Sequence, residues 1–387
     1  MKAVVDVAKG LEGLRRQDGI HAAAVVITKE PLTDYLPIQR KPESGQAPED
    51  APVVTQYEMH GVEDLGLLKM DFLGLRNLDV ITDTLELIRR TRGTEVDIDS
   101  MDLEDQLTYD LLSRGDSIGV FQLESGPMRS LMRSLVPSSF EDVAALVGLY
   151  RPGPMAANMH NDYADRKNGR QAVTYIHPDA EEILADTYGL MVYQESVMRV
   201  AQKFAGYSLA QADNLRKACG KKIREMMQQE RDGFISGCEE TGYGSALGEE
   251  LFDIIEQFAD YAFNKSHAYG YGLIAYQIAY LKAHYPVEYM AALLTSVKSN
   301  LDKAGVYLNE CRILGIEVVV PDINKARSDF NPVPAEDDDG LGQIVFGLSA
   351  VRNVGSGLVE LIEAERDAVG PFTDFFDFVE RCDMSAL

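Results

Sequence analysis

Apolar and polar residues alternate along a short stretch near residue 70. Leu68, Met70 and Phe72 fall on one face of an extended chain. Lys69 and Asp71 fall on the opposite face. The alternation predicts a strand that aims a lysine and an aspartate at the same side of a sheet.

The next pattern has the period of a helix. From Leu75 to Arg92 apolar residues recur at spacings of three and four, the last turn is basic, and Gly93 follows. This pattern predicts an amphipathic helix that ends at Gly93. Its apolar positions are Leu75, Leu78, Ile81, Leu85 and Ile88.

The remaining patterns divide the chain into three parts. An apolar strand at 22–28 and an exposed Pro-, Gly- and acid-rich loop at 41–52 precede residue 75. Helical patterns then fill about 103–310, with a break at Arg151-Pro152-Gly153-Pro154. Short strand-like runs at 317–320 and 343–346, separated by the Pro- and Asp-rich stretch 331–342, predict a small β element near the end.

Lys69 and Asp71 have the chemistry of a metal and phosphate site. A carboxylate is a preferred ligand of Mg²⁺, and an ammonium group neutralises phosphate charge. A surface salt bridge at the end of a strand is the simpler explanation of the same two residues, because short charged pairs are common. The pattern alone leaves both interpretations open.

A second candidate site precedes the helix that continues to about Tyr285. Ser266 or Asn264 is suited to cap this helix, and its free N–H groups would lie beside Lys265 and His267. Such a helix start favours a bound anion such as phosphate. Ordinary capping with two incidental charged neighbours is the alternative.

Charge is distributed unevenly along the chain. The net charge of -25 argues against a uniformly basic nucleic-acid-binding surface. Residues 199–224 nevertheless contain seven basic side chains and one acid, Asp213, which favours an anionic partner over a merely solvated surface. The basic residues are Arg199, Lys203, Arg216, Lys217, Lys221, Lys222 and Arg224.

Two further segments have residues suited to binding phosphate. Arg151 precedes a stiff Pro-Gly-Pro turn, which would limit the entropy lost when its guanidinium binds phosphate or carboxylate; pinning of the loop is the alternative. Gly355 and Gly357 introduce a helix that runs towards Arg366, so their backbone N–H groups are candidates for a DNA phosphate. A plain helix start is the alternative there.

Composition excludes several other classes. The four cysteines form no CxxC pair and are expected to be buried or half-buried thiols. No apolar run reaches eighteen residues and no signal-peptide layout occurs, so a cytoplasmic location is expected. The sequence has no Walker A, HExxH or GxSxG motif, which leaves no support for the common nucleotide hydrolases, zincins or serine hydrolases.

Seven segments, taken in order, resemble the bacterial DNA polymerase III alpha subunit family, the replicative C-family polymerases. Together they span about residues 60 to 290, and several long motifs in family order are more specific than any one of them. The segments are 66–76 (GLLKMDFLGLR), 119–125 (GVFQLES), 151–154 (RPGP), 188–195 (YGLMVYQE), 220–222 (GKK), 263–267 (FNKSH) and 282–286 (KAHYP).

The resemblance implies a fold and a domain order. Residues 1–75 would be the C-terminal part of an α/β palm related to the polymerase β nucleotidyltransferases. Residues 76–325 would form a large, mostly α-helical fingers domain. Residues 326–387 would begin a short α+β helix-hairpin-helix region.

The resemblance also implies roles for individual residues. Asp71 matches the third catalytic aspartate and would ligate one of two Mg²⁺ ions, while Lys69 would lie against substrate or primer phosphate. Template-directed transfer from dNTPs to a primer 3′-hydroxyl would be the reaction. Nucleotide or DNA contacts would come from Arg151, Arg216, Lys217, Lys221, Lys222, Asn264, Lys265, Ser266, His267, Gly355 and Gly357.

Several departures from the family pattern bear on activity. No D-x-D segment that would supply the other two aspartates precedes Asp71, so the chain is expected to be an internal piece that binds but does not polymerise alone. Tyr269 replaces a usual small residue and Cys219 a usual methionine. Primer-template DNA and dNTPs would be partners, whereas the regions that bind the sliding clamp and other replisome subunits in the intact enzyme are missing.

Two other functions compete with this interpretation. The chain is alternatively a non-catalytic module that binds DNA or a replication partner through its basic segment and the Gly355-x-Gly357 turn. Nucleotide-dependent stabilisation with magnesium would favour a polymerase pocket, and DNA binding indifferent to nucleotide would favour the module. A lesion-bypass paralogue fits less well, because the sequence motif at residues 158–170 resembles that of the replicative members.

Overall fold

The computed structural model describes residues 2–14, 18–21, 23–42, 46–221, 224–258, 262–333 and 341–382, with the backbone alone at 220–221 and 224–226. Within it the chain divides into an N-terminal unit, Met1–Leu75, and a larger helical unit, Arg76–Leu387.

The N-terminal unit contains two small antiparallel ribbons. In the first, β1 pairs with β4, which places Ala24 opposite Asp71 and Val26 opposite Lys69. The second joins β2 and β3, and the predicted loop at 41–52 connects them. The predicted strand near residue 70 is therefore present. The elements are α1 (Lys2–Leu11), β1 (Ala24–Ile27), β2 (Ile38–Arg40), β3 (Val53–Thr55), α2 (Met59–Asp64) and β4 (Leu68–Asp71).

One face of the β1/β4 ribbon is apolar and uncovered. Val25, Ile27, Leu68 and Met70 are each 40–55% exposed. Helix α1 likewise has no buried residue. The alternation in the sequence thus places the charged and apolar residues on opposite faces, but the apolar face lies in solvent.

In its described residues the helical unit begins with fourteen α-helices, from α3 to α16. The predicted mostly helical middle is therefore confirmed, and the predicted break at Arg151 is the start of the short α7. The helices are α3 (Arg76–Arg92), α4 (Gln106–Arg114), α5 (Gly126–Leu135), α6 (Phe140–Leu149), α7 (Pro152–Ala156), α8 (Met159–Lys167), α9 (Glu181–Leu184), α10 (Gln194–Ala205), α11 (Leu209–Lys221), α12 (Arg224–Glu240), α13 (Ser245–Phe258), α14 (Lys265–His284), α15 (Pro286–Ser296) and α16 (Leu301–Leu314).

Helix α14 runs through the core of this unit. It packs against α3, α4, α6 and α15, and it has buried residues along most of its length. At Gly272 an added Cβ would lie 3.0 Å from Ala144 Cα, so the backbones of α14 and α6 approach closely. Cys219, Cys238, Cys311 and Cys382 are all buried, as predicted.

Helix α3 matches its prediction in extent but differs in its buried face. Its last residue is Arg92, and Gly93 follows with a φ of 64°. The buried positions are Val80, Ile81, Thr84 and Ile88, whereas the predicted core position Leu78 is 48% exposed. The helix packs against α15 and α14 through the stripe that includes Thr84, whose hydroxyl donates to Val80 O at 2.6 Å and so needs no partner from another helix.

A buried ion pair joins three parts of the helical unit. Lys282 Nζ lies 2.6 Å from Glu310 Oε1 and also donates to Asp116 O at 2.7 Å and Ile118 O at 2.8 Å. Burial lowers the pKa of Lys282, although Glu310 opposes this effect. The pair fixes α14 to α16 and to the turn that contains residues 116–118.

The C-terminal part contains a three-stranded sheet and two helices. Central strand β7 pairs parallel with β5 and antiparallel with β6. The sequence predicted β5 and β7, but it assigned 331–342 to a separator, and β6 lies at its start. Pro332 is compatible with a strand there because β6 is at the sheet edge. The elements are β5 (Glu317–Val319), β6 (Asn331–Val333), β7 (Gln343–Val345), α17 (Ser356–Val369) and α18 (Phe375–Arg381).

No helix within the described ranges combines the length and the apolar composition needed to cross a bilayer.

Candidate functional site

The starts of α10 and α14 are joined through their backbones. Phe263 N donates to Val192 O at 3.2 Å, and Gln194 N donates to Phe263 O at 2.9 Å. These bonds form a parallel bridge between Tyr193 and Phe263. Two segments that are about seventy residues apart in sequence therefore meet at one point.

The side chains at this point close the first turn of α14. Asn264 is the N-cap, because its Oδ1 accepts a hydrogen bond from His267 N at 2.8 Å. Glu195 accepts from Asn264 Nδ2 and from Lys265 N, both at 2.9 Å. Of the two predicted capping residues, Asn264 therefore caps the helix, and the anion beside its first turn is the carboxylate of Glu195.

Lys265 is held above two aromatic rings. Its Nζ lies 2.8 Å from Asp186 Oδ2, 5.3 Å from the ring centre of Tyr193 and 5.5 Å from that of Tyr269. Partial burial lowers the pKa of Lys265, but the hydrogen bond and the charge of Asp186, together with Tyr269, outweigh it and leave the pKa above its ordinary value. Tyr269, which departs from the family pattern, thus forms part of the wall around this cation.

Arg151 approaches the same point from α7. Its guanidinium carbon lies 4.4 Å from the ring centre of Phe263. Its Nη1 is buried and has no hydrogen-bond partner among the described residues. Because an unpaired buried donor is costly, this atom marks a position where an acceptor would be stabilised.

His267 and Ser266 lie on the exposed side of the first turn. The His267 ring stacks on Tyr271 at 4.2 Å and lies 5.3 Å from Phe263. Ser266 is exposed. We call the group around Phe263 the Lys265 cluster; its members are Arg151, Asp186, Glu195, Asn264, Lys265 and His267.

The basic segment after residue 199 is partly neutralised. Arg216 and Lys217 each lie 2.8 Å from Asp213, and the hydrogen bonds from Lys217 and then Arg216 lower the pKa of that carboxyl. Lys203 lies 2.9 Å from Glu182, outside the predicted segment. Arg199 donates to the Glu182 carbonyl.

Part of the predicted basic segment lies outside the described residues. Helix α11 continues through Gly220 to Lys221, so the glycine does not end it. Lys222 is outside the described residues, and the side chains of Lys221 and Arg224 are too.

Asp71 and Lys69 form an ion pair in the N-terminal unit. Lys69 Nζ donates to both Asp71 oxygens, at 2.8 and 3.0 Å, and this bond lowers the pKa of Asp71. His21 Nδ1 is 4.0 Å from Asp71 Oδ1. In the described part of the chain no group of three or more His, Cys, Asp or Glu side chains could hold a metal ion. The described residues therefore do not by themselves fit a two-magnesium site.

Gly355 and Gly357 lie at the start of α17. Gly355 is its N-cap residue and Gly357 follows in the first turn. A Cβ added at either glycine would meet no atom within 4 Å. The first turn of α17 is thus accessible to a ligand.

Three residues of the Lys265 cluster and its walls were missed as site residues in the sequence. Glu195 and Tyr193 belong to the segment 188–195 that supports the family resemblance, which was the available signal. Asp186 lies outside that segment, and no sequence pattern links it to Lys265.

Three family models match successive parts of the chain. The model for the bacterial DNA polymerase III alpha NTPase domain matches residues 1–74. The bacterial DNA polymerase III alpha subunit finger domain matches residues 77–242, and a helix-hairpin-helix motif matches residues 315–387.

Individual relatives agree with these matches. The chain is 52% identical to a DNA polymerase III subunit alpha of Mycobacterium tuberculosis (strain H37Rv), 47% to one of Thermus aquaticus and 44% to one of Bacillus subtilis (strain 168). The alignments cover 100%, 98% and 98% of this chain but only 32%, 30% and 33% of the relatives. The chain, which spans about a third of the length of these relatives, therefore belongs to the bacterial DNA polymerase III alpha subunit family.

Proposed function

We propose that the chain is part of a replicative DNA polymerase that transfers nucleotides from dNTPs to a primer 3′-hydroxyl under the direction of a template. Residues 1–75 would belong to a palm of the polymerase β nucleotidyltransferase type, 76–325 to the fingers and 326–387 to the start of a helix-hairpin-helix region. The match of two polymerase family models and a helix-hairpin-helix motif, in sequence order, supports this assignment. In the cell we expect the cytoplasm as its location and replisome proteins, including the sliding clamp, as partners of the intact enzyme.

The observation that carries the proposal is the convergence of Arg151, Lys265 and His267 around Phe263. Arg151 offers a buried donor that lacks an acceptor, and Lys265 offers an ammonium group above two rings. A triphosphate would accept a hydrogen bond from Arg151 Nη1 and would replace Asp186 as the ion-pair partner of Lys265, because phosphate oxygens are strong acceptors for both groups. These residues would hold and orient the incoming nucleotide.

The cations of α11 would add to the anion-binding residues. Arg216 and Lys217 share one aspartate, so two positive charges face one negative charge. The resemblance adds Lys221 and Lys222 to this group. We assign them to the triphosphate or to nearby DNA phosphates.

Asp71 would supply one carboxylate to the magnesium site of the polymerase. A Mg²⁺ ion bound there would neutralise charge on the reacting phosphate. Since no group of three or more His, Cys, Asp or Glu side chains in the described residues could hold a metal ion, we propose that the other carboxylates come from outside them. Lys69, now bonded to Asp71, would be released towards a substrate or primer phosphate.

Thermal unfolding of the purified chain with dNTP and MgCl₂ tests the nucleotide site. We expect a concentration-dependent rise in the melting temperature that is smaller in Arg151→Gln and in Lys265→Gln than in the parent chain, because ligands that bind only the folded state stabilise it. Lys325→Gln, which removes an exposed lysine outside the cluster, is the matched control. An equal rise in all variants would exclude the Lys265 cluster as the site.

Primer extension tests the catalytic part of the proposal. The 387-residue chain alone is expected to show no synthesis, because one carboxylate cannot hold two Mg²⁺ ions in catalytic geometry. Robust magnesium-dependent synthesis that Asp71→Asn abolishes would show that the chain does complete the site.

A binding module that lacks catalysis is the second candidate function. The open first turn of α17 at Gly355 and Gly357 favours it, because exposed N–H groups at a helix start can bind DNA phosphate. DNA binding that is lost in Gly357→Pro, and that neither dNTP nor magnesium changes, would favour the module. Binding that depends on nucleotide would favour the polymerase.

A further inference from the structure

A cleft at the start of α3 has an unusual lining for such an acidic protein. Its volume is about 310 Å³, at the lower end of the range for small-ligand sites. Residues from α3, α15, α16 and the connection between the last two helices form its walls. They are Arg76, Asn77, Val80, Leu293, Ser296, Val297, Asn300, Lys303 and Tyr307.

The only charged residues in this lining are two cations. Arg76 and Lys303 have no ion-pair partner in the described part of the chain, and the hydrogen bond that the side chain of Arg76 makes there is a long one, to Ser296 O at 3.4 Å. No carboxylate lines the cleft. Tyr307 OH donates to Glu124, which also accepts from Gly119 N, so that neighbouring acid is already engaged.

The floor of the cleft is apolar. Val80, Leu293 and Val297 are each buried. Asn77, Asn300 and Ser296 add polar groups between this floor and the two cations. A ligand with an anionic end and a flat, largely apolar body matches both parts.

We infer that this cleft binds one nucleotide unit, with its phosphate between Arg76 and Lys303 and its base against Val80, Leu293 and Val297. Two cations without partners would form charge-assisted bonds to phosphate oxygens. The backbone N–H of Lys303 is not the donor, because it already donates to Asn300 Oδ1 at 3.1 Å. The unit could belong to a free nucleotide or to a nucleic-acid strand, which share this chemistry.

The cleft shares no residue with the Lys265 cluster, so the inference does not rest on the proposed function. A chain that fails to bind dNTP through Lys265 would still be expected to bind here. Variants of Lys265 therefore test the proposed dNTP site, and variants of Arg76 and Lys303 test the cleft.

Calorimetric titration of the full chain with deoxyadenosine monophosphate, pyrophosphate and a dT₆ oligonucleotide tests the inference. We expect the monophosphate to bind, and Arg76→Gln/Lys303→Gln to weaken it about tenfold or more, since two charged hydrogen bonds are lost. Pyrophosphate should bind more weakly than the monophosphate, because it cannot contact the apolar floor. If dT₆ binds more tightly than the monophosphate and the monophosphate displaces it, the nucleotide unit belongs to a nucleic-acid strand. If dT₆ does not bind in this way, the unit belongs to a free nucleotide.

Arg133→Gln/Arg312→Gln is the matched control. It removes the same charge from two exposed helix positions that make only neutral contacts, to Ser130 and Asn309. Equal affinities in the two double variants would overturn the inference. Pyrophosphate binding as tight as that of the monophosphate would overturn the role of the apolar floor.

Discussion

The N-terminal unit and the helical unit differ in what their apolar side chains contact. The β1/β4 ribbon leaves Val25 and Met70 exposed across from each other, and α1 buries nothing. In the helical unit, α14 has buried residues along most of its length, and even a charged lysine is fully enclosed. Similar apolar patterns in the sequence therefore leave apolar side chains exposed in the N-terminal unit and bury them in a dense core in the helical unit.

Because of this difference, the two parts of the proposed site lie on elements of different stability. Asp71 lies on a two-stranded ribbon, a form that has little stability by itself in water. The Lys265 cluster is built on helices that the core holds in place. Substitutions should therefore have large effects on the folding of the helical unit and small effects in the ribbon.

The largest effect is expected at the buried ion pair. Lys282→Met would leave the Glu310 carboxylate buried without its partner and two carbonyls without their donor. We expect a loss of about 3–5 kcal/mol in the free energy of unfolding, measured by urea denaturation. Lys282→Met/Glu310→Leu should recover much of it, because the unpaired charge is then removed. A single variant as stable as the parent would show that the dense core tolerates this change.

The next effect concerns a close contact between helices. A Cβ at Gly237 in α12 would lie 2.3 Å from Ala205 O at the end of α10, so one backbone must move. Gly237→Ala is expected to cost about 1–3 kcal/mol by overpacking. Gly305→Ala in α16 is the control, since its Cβ would meet nothing within 4 Å and should stabilise the helix by about 0.5–1 kcal/mol. Equal behaviour of the two alanine variants would contradict close packing at Gly237.

A smaller and opposite effect is expected after α5. Val136 has a φ of 53°, a left-handed conformation that is strained for a β-branched residue, and its side chain is 44% exposed. Val136→Asn should raise the free energy of unfolding by about 0.5–1 kcal/mol, because asparagine adopts this conformation more readily. Val173→Asn, which removes another partly exposed valine but has no positive φ, serves as the control. A gain in both variants would mean that polarity, and not backbone strain, is responsible.

The smallest effect is expected in the ribbon. Val25→Thr and Met70→Thr should each change stability by less than about 0.5 kcal/mol, as at other exposed positions. Val200→Thr, at a fully buried position of α10, should cost more, because its hydroxyl would be placed in the core. A large loss in the ribbon variants would mean that its apolar face is covered in solution.

Local patterns predicted local structure well. Alternation located β4, and the three-four spacing with Gly93 located α3 within one residue of its start. The buried face of α3 was harder to predict, because Thr84 is polar by type but satisfies its hydroxyl within its own helix. Strand β6 was hidden by Pro332, which only the edge position makes acceptable.

Pairings between distant segments could not be read from local patterns. Glu195 binds the first turn of α14 from seventy residues earlier, and Glu182 neutralises Lys203 from outside the basic segment. Nothing in the sequence near Lys282 indicates that it is enclosed with Glu310, since its charge alone predicts exposure. The sequence therefore identified the cations of the candidate site but missed the carboxylates that hold them.

The bridge between Tyr193 and Phe263 also has a mechanical consequence. Glu195 adds two hydrogen bonds to the two backbone bonds of the bridge, so the first turns of α10 and α14 are fastened together. One turn cannot tilt unless the other tilts with it or these bonds break. A displacement of the first turn of α14 at Lys265 would therefore also displace the first turn of α10, so the two helices would move together about their joined starts.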